Sequence, residues 1–124
     1  MFKVLVVDDD PVLRYALTLT LEGTGKFKVT EAVNGEEGLV CLASDGQIRA
    51  IITDFKMPIM DGLELINKVR ATGSKIPILM VSSDDSAQTK NDSKKIGATA
   101  FMSKTNFSPE NLLAWVETHL QMEG

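Results

Sequence analysis

The sequence predicts an α/β domain in which five strands alternate with five helices, a (βα)5 chain forming one open parallel sheet covered on both faces. Short apolar runs recur at Phe2 to Val7, Phe27 to Val33, Ala50 to Thr53, Ile76 to Val81 and Thr99 to Met102, with helix-patterned segments between them. Runs such as Val4-Leu5-Val6-Val7 and Ile76-Pro77-Ile78-Leu79-Met80-Val81 are apolar almost throughout, which suits strands buried on both faces. A length of 124 residues is enough for one domain with a real core and too short for two, so residues 1–124 are expected to form a single domain.

Each element has a local justification. The first strand runs into Asp8-Asp9-Asp10, and Asp10 before Pro11 reads as the N-cap and first residue of a helix. Leu13, Ala16, Leu17 and Leu21 form that helix's apolar face, and Gly23 closes it. Leu39 and Leu42 mark the second helix; Leu63, Ile66 and Val69 mark the third. The fourth segment, Ser86 to Ile96, offers only Ala87 and Ile96 as apolar anchors, so its helix should be marginal and able to shift at modest cost. Ser108 before Pro109 opens the fifth, whose Leu112, Leu113, Trp115, Val116 and Leu120 are expected to face the core. His119 near its end suits the negative end of the helix dipole.

Composition narrows the function. Apolar residues make up 44% and charged residues 24% of the chain, the balance of a globular protein rather than a disordered one. Thirteen basic against seventeen acidic residues give a net charge of −4 with no basic stripe, which argues against direct nucleic-acid binding. The single cysteine, Cys41, can form neither an internal disulfide nor a multi-thiolate metal site, and a reducing cytoplasm is expected. Phe2–Val7 is too short for a signal peptide or a membrane span.

In open α/β sheets ligands bind beyond the carboxyl ends of the strands. Asp8 and Asp9 end the first strand, Asp54 the third and Ser82 the fourth, while Lys104 follows the fifth, so all five should converge. Like charges packed beside an apolar run raise one another's pKa or require a cation. Three carboxylates, a hydroxyl and an ammonium make a hard-oxygen nest suited to Mg²⁺, with Lys104 offsetting part of the excess charge. Acidic residues at strand ends also serve as plain caps, and that reading is kept for Asp10.

These residues resemble the receiver domains of bacterial two-component response regulators, and the resemblance covers nearly the whole chain. It is carried by Asp8-Asp9, by Asp54-Phe55-Lys56-Met57-Pro58-Ile59-Met60-Asp61-Gly62, by Ser82, and by Lys104 after Phe101, all in order and near the expected spacing. The resemblance implies a flavodoxin-like sheet of strand order 2-1-3-4-5. It implies that Asp54 takes a phosphoryl group from a sensor histidine kinase or histidine phosphotransfer protein, with no turnover of an external substrate. Asp9 would bind Mg²⁺ directly and Asp8 through water, with Asp54 and the backbone carbonyl of Lys56 completing the protein's share. Ser82 and Lys104 would each hold a phosphoryl oxygen, and the Phe101 rotamer would track Ser82. The surface of helix 4, strand 5 and helix 5 would then act on a downstream protein or effector domain.

The chain departs from that family pattern in places. Lys104 is followed by Thr105 where a proline in a cis peptide is usual, and a cis bond before a non-proline costs about 2.5–4 kcal/mol, so the loop is expected to differ. Ser83 replaces the usual Ala or Gly after Ser82, and Lys56 and Asp84 are expected to pair across the mouth of the site and slow hydrolysis. A stand-alone phosphoacceptor with no effector domain after the fifth helix is expected, with Gln121 to Gly124 as the alternative start of a linker.

A competing resemblance exists. Asp8-Asp9-Asp10-Pro11-Val12 also fits the Asp-x-Asp-x-Val signature of haloacid-dehalogenase-type phosphatases, which would make Asp8 the nucleophile of a Mg²⁺-dependent hydrolase. That family places its lysine before its second acidic pair, whereas Asp84-Asp85 precedes Lys104 here, and Asp54 would be left without a role.

Overall fold

A computed structural model describes residues 1–121, with Gln121 described in backbone only. The elements alternate as expected: β1 (Phe2–Val7), α1 (Pro11–Glu22), β2 (Phe27–Ala32), α2 (Gly35–Ser44), β3 (Ile48–Thr53), α3 (Gly62–Ala71), β4 (Ile78–Ser82), α4 (Ala87–Ile96), β5 (Ala100–Ser103), a 3-10 turn (Lys104–Asn106) and α5 (Pro109–Gln121). The strands form one sheet in the order β2-β1-β3-β4-β5, with every pairing parallel. Val7 pairs with Ala32 on one side and Thr53 on the other, so β1 and β3 end level and deliver Asp8 and Asp54 side by side. Residues 122–124 of the candidate linker lie outside the described residues.

The unbroken apolar runs follow from burial on both faces. Val4 and Val6 pack with Leu17 and Leu21 of α1 and with Leu112, Val116 and Leu120 of α5. Leu5 and Val7 face the opposite way, among Leu65, Ile66 and Val69 of α3. Each fully buried aliphatic side chain contributes about 1.5–3 kcal/mol to holding the helices on the sheet.

Strand ends differ slightly from expectation. β2 stops at Ala32 and leaves Val33 exposed, because the next residue, Asn34, turns the chain and caps α2 by accepting from Glu37 N–H. β4 starts at Ile78 rather than Ile76; Pro77 has no N–H, and its carbonyl instead accepts from Ile51 N–H. β3 begins earlier, at Ile48, and β5 runs one residue later than expected.

The helix starts match their signals. Asp10 accepts from Val12 and Leu13 N–H, Asp61 from Glu64 N–H, Ser86 from Thr89 N–H and Ser108 from Asn111 N–H. Gly23 closes α1 as expected, in a right-handed conformation. Leu112, Val116 and Leu120 are fully buried, with Trp115 half-buried against them. His119 meets the last turn of α5, its Nδ1 2.9 Å from the Trp115 carbonyl and its ring 4.5 Å from the indole.

Two helical faces are corrected. On α1, Ala16 is exposed and Thr18 takes the buried place, its hydroxyl returning to the Arg14 carbonyl. On α4, Ala87 is exposed, and the buried positions are the polar Thr89 and Ser93. That helix is held by hydrogen bonds at both ends: Thr89 Oγ1 donates to Asp84, and Arg70 Nε on α3 donates to the Gly97 carbonyl past its C-terminus. Cys41 is half-buried, and burial followed by the nearby Glu37 charge pushes its thiol up, which disfavours the thiolate.

Candidate functional site

Asp8 N–H donates to the Ala32 carbonyl and Asp54 N–H to the Val7 carbonyl, so both acids extend the sheet's ladders past its carboxyl edge and inherit its rigidity. Asp8 is 2% and Asp54 9% exposed, whereas Asp9 is open to solvent. Carboxylate oxygens of all three lie within 4.8 Å of one another. Each buried acid spends Oδ1 on backbone: Asp8 accepts from Asp10 N–H and Asp54 from Phe55 N–H. Each turns Oδ2 towards Lys104, whose Nζ stands 3.2 Å from Asp54 and 3.6 Å from Asp8.

One ammonium does not offset three carboxylates. Burial pushes Asp54 up from the usual carboxylate range, opposed by Lys104 and by the Phe55 N–H; burial likewise pushes Asp8 up, with the Asp10 N–H opposing it most. A partly buried, all-oxygen donor set with surplus negative charge matches what a hard divalent cation requires. The linkage has a definite sign, because with raised folded pKa values the native state binds more protons than the unfolded state. Cation-free protein should therefore lose stability as pH rises through and above the ordinary value of 3.8, and Asp54→Asn should flatten that loss. Thermal melts from pH 4 to 7 test this, and adding a divalent cation at neutral pH should stabilise wild type much more than the variant.

The loop after Asp54 is tightly packed. Gly62 N–H donates to the Phe55 carbonyl, and a methyl group on Gly62 would collide with the Asp54 carbonyl oxygen and reach 2.9 Å from Met80 Cε. Ile59 sits at φ 70°, inside a turn closed by Met60 N–H to the Pro58 carbonyl at 2.7 Å, a conformation costing about 1–3 kcal/mol for a β-branched residue. Gly35 N–H clamps that turn through the Met60 carbonyl.

The expected Lys56–Asp84 ion pair does not form. Lys56 Nζ lies 4.3 Å from the centre of the Phe55 ring, and both oxygens of Asp84 are taken, by the Ser86 N–H and the Thr89 hydroxyl. Those bonds, with Lys56 adding a weaker pull from farther off, hold Asp84 below the usual range. No cis peptide occurs among the described residues, so the Lys104–Thr105 bond is trans.

Ser82 is buried at the end of β4, where its oxygen accepts from Asp84 N–H at 3.1 Å; it makes no bond to the acidic trio. Phe101 is half-buried on β5, with Lys90 Nζ 5.9 Å from the centre of its ring. Arg14 was not anticipated. Its guanidinium donates to the Asp8 carbonyl at 2.7 Å and pairs with Glu31 at 2.9 Å, anchoring the acidic loop from α1. A signal existed, for Arg14 is the sole basic residue between Pro11 and Glu22.

A doubly covered parallel sheet with three clustered carboxylates and a lysine at its carboxyl edge is the arrangement of a signalling domain that accepts a phosphoryl group. Residues 4–117 match the family model described as the response regulator receiver domain, and the chain belongs to that family. It is a phosphoacceptor rather than a turnover enzyme, which removes the phosphatase reading centred on Asp8. The chain is 38% identical over 112 residues to response regulator MprA of Mycolicibacterium vanbaalenii, covering 90% of this chain and 47% of that protein. It thus spans about half the length of the curated relatives it matches. The Francisella response regulator 1452 receiver domain superimposes with a TM-score of 0.92 at 27% identity, covering 100% of each chain. Vibrio cholerae chemotaxis protein CheY4 superimposes with a TM-score of 0.86 at 34% identity, covering 97% of this chain and 99% of that one. No helix among the described residues is long and apolar enough to cross a membrane.

Proposed function

We propose that residues 1–124 act as one receiver domain in a cytoplasmic two-component phosphorelay, with Asp54 as the residue that is phosphorylated. The observation that carries this is the pairing of the buried Asp54 Oδ2 with Lys104 at 3.2 Å, beside two further carboxylates. In transfer, an Asp54 oxygen forms the new P–O bond while the P–N bond of a donor phosphohistidine breaks, its electron pair leaving on the imidazole. Lys104 neutralises charge on the moving group, and the free Ser82 proton is available to one of its oxygens once transfer is complete. Asp8, Asp9, Asp54 and the Lys56 backbone carbonyl would hold Mg²⁺, which when bound would supply neutralisation of the phosphoryl charge.

The test is incubation with acetyl phosphate and Mg²⁺ followed by intact mass. Gain of one phosphoryl group on Asp54 is the expected result; steady hydrolysis of the donor through Asp8 would overturn it. The donor protein is a sensor histidine kinase or a histidine phosphotransfer protein, and the output surface is α4, β5 and α5. Val12, Tyr15 and Leu19 form an exposed apolar stripe on α1, which begins beside the acidic loop, and so offer the donor protein a helix-in-groove contact. Tyr15→Ala with Leu19→Ala should slow transfer from a donor protein about tenfold or more, on the scale of losing interface anchors, and leave the acetyl phosphate rate unchanged.

A further inference from the structure

Ser103 closes β5 one residue before Lys104 and is 8% exposed. A serine hydroxyl has one proton and two lone pairs, and here all three are used. Ser103 Oγ donates to Asp85 Oδ2 at 2.9 Å and accepts from Thr105 N–H at 3.2 Å. The third contact, to Thr105 Oγ1 at 2.7 Å, must then have threonine as donor, since the serine proton is already committed to a carboxylate. Ser103 is also the N-cap of the 3-10 turn that Lys104 opens. A proline at 105 would offer neither of the two donors that Thr105 supplies.

This node joins two loops that serve the same ligand. Asp85 lies in the β4–α4 loop, which starts from Ser82, and Ser82 is the register partner of Ser103 across the sheet. A lysine side chain is long and has many rotamers, so its ammonium stays near Asp54 only if its backbone is held firmly. The trans Lys104–Thr105 peptide has no proline ring to hold it; the hydroxyl cap and its carboxylate anchor take that part.

We propose that Asp85, Ser103 and Thr105 are positioning residues for Lys104, a hydrogen-bonded clasp that aims its ammonium at the phosphoryl group and ties it to the loop of Ser82. The inference rests on the reading of Asp54 as phosphoacceptor. The test measures the maximal rate of phosphorylation by acetyl phosphate, and separately Mg²⁺ affinity by calorimetry, in the full chain. Ser103→Ala and Asp85→Ala should each lower the maximal rate about tenfold, below the roughly hundredfold cost of a one-ångström misplacement, with Mg²⁺ affinity within twofold of wild type. Ser103→Thr keeps the hydroxyl and Asp85→Asn keeps an acceptor oxygen, so both should recover most of the rate. The double alanine variant should be no slower than either single one, because one clasp is broken in each case.

Asp85 is exposed, so its variants should fold even if a Ser103 variant does not. Rates within twofold of wild type in Asp85→Ala and Ser103→Ala, losses that multiply in the double variant, or Mg²⁺ affinity that falls in step with the rate would each overturn the clasp. A wild-type chain that gains no phosphoryl group, or gains it when Asp54 is Asn, overturns the Asp54 reading instead.

Discussion

Asp54→Asn is expected to abolish phosphoryl uptake from acetyl phosphate, by at least about a thousandfold, because the amide has no anionic oxygen to form the P–O bond. The substitution is nearly isosteric. Its oxygen can still accept from Phe55 N–H, and Lys104 keeps Asp8 as a partner at 3.6 Å, so the fold should survive. Intact mass after incubation with donor and Mg²⁺ reads the result directly. Neither neighbour should substitute: Asp8 is nearly inaccessible, with one oxygen bound by Asp10 N–H, and Asp9 lies outside the buried pair. An Asp10 variant serves as control, since that residue caps α1 through Val12 and Leu13 N–H and should lose about 1 kcal/mol of stability with its phosphorylation intact.

Gly62→Ala is expected to be the most damaging small substitution near the site. The new methyl would overlap the Asp54 carbonyl oxygen, which is backbone continuous with the β1–β3 ladder and cannot move alone. Overpacking of this kind costs about 1–3 kcal/mol or more, lowering the melting temperature by up to roughly 10 °C, and relief that moves the Asp54 carbonyl would shift Asp54 relative to Lys104. Gly46→Ala is the matched control: nothing lies within 4 Å of its added carbon, so its effect should stay within about 0.5 kcal/mol. Thermal melts and phosphorylation rates on both variants decide the matter, and a Gly62→Ala protein as stable and active as wild type would contradict the packing described.

Much of this molecule was legible beforehand because its signals are local. Pro11 after Asp10, Pro109 after Ser108 and unbroken runs such as Val4 to Val7 each report their own backbone, and the structure agrees with them. Periodicity was less reliable where burial depends on a neighbour. Ala16 and Ala87 look like core residues in sequence, yet small side chains add little when exposed, while Thr18, Thr89 and Ser93 can be buried because each finds a hydrogen-bond partner. The Lys56–Asp84 pair failed for a related reason: Asp84 lies closer to Ser86 and Thr89, whose donors satisfy it without ordering a long lysine side chain.

The sequence by itself determined the alternation of strands and helices, the caps, and which strand ends carry acids, a hydroxyl and a lysine, since these depend on residues adjacent in the chain. Tertiary structure alone decided that Lys104 stands between Asp8 and Asp54, that Arg14 anchors the Asp8 carbonyl, and that Ser103 joins Asp85 to Thr105. Contacts between residues far apart in sequence leave no local periodicity, and their distances are set by sheet register and by packing that excludes alternatives.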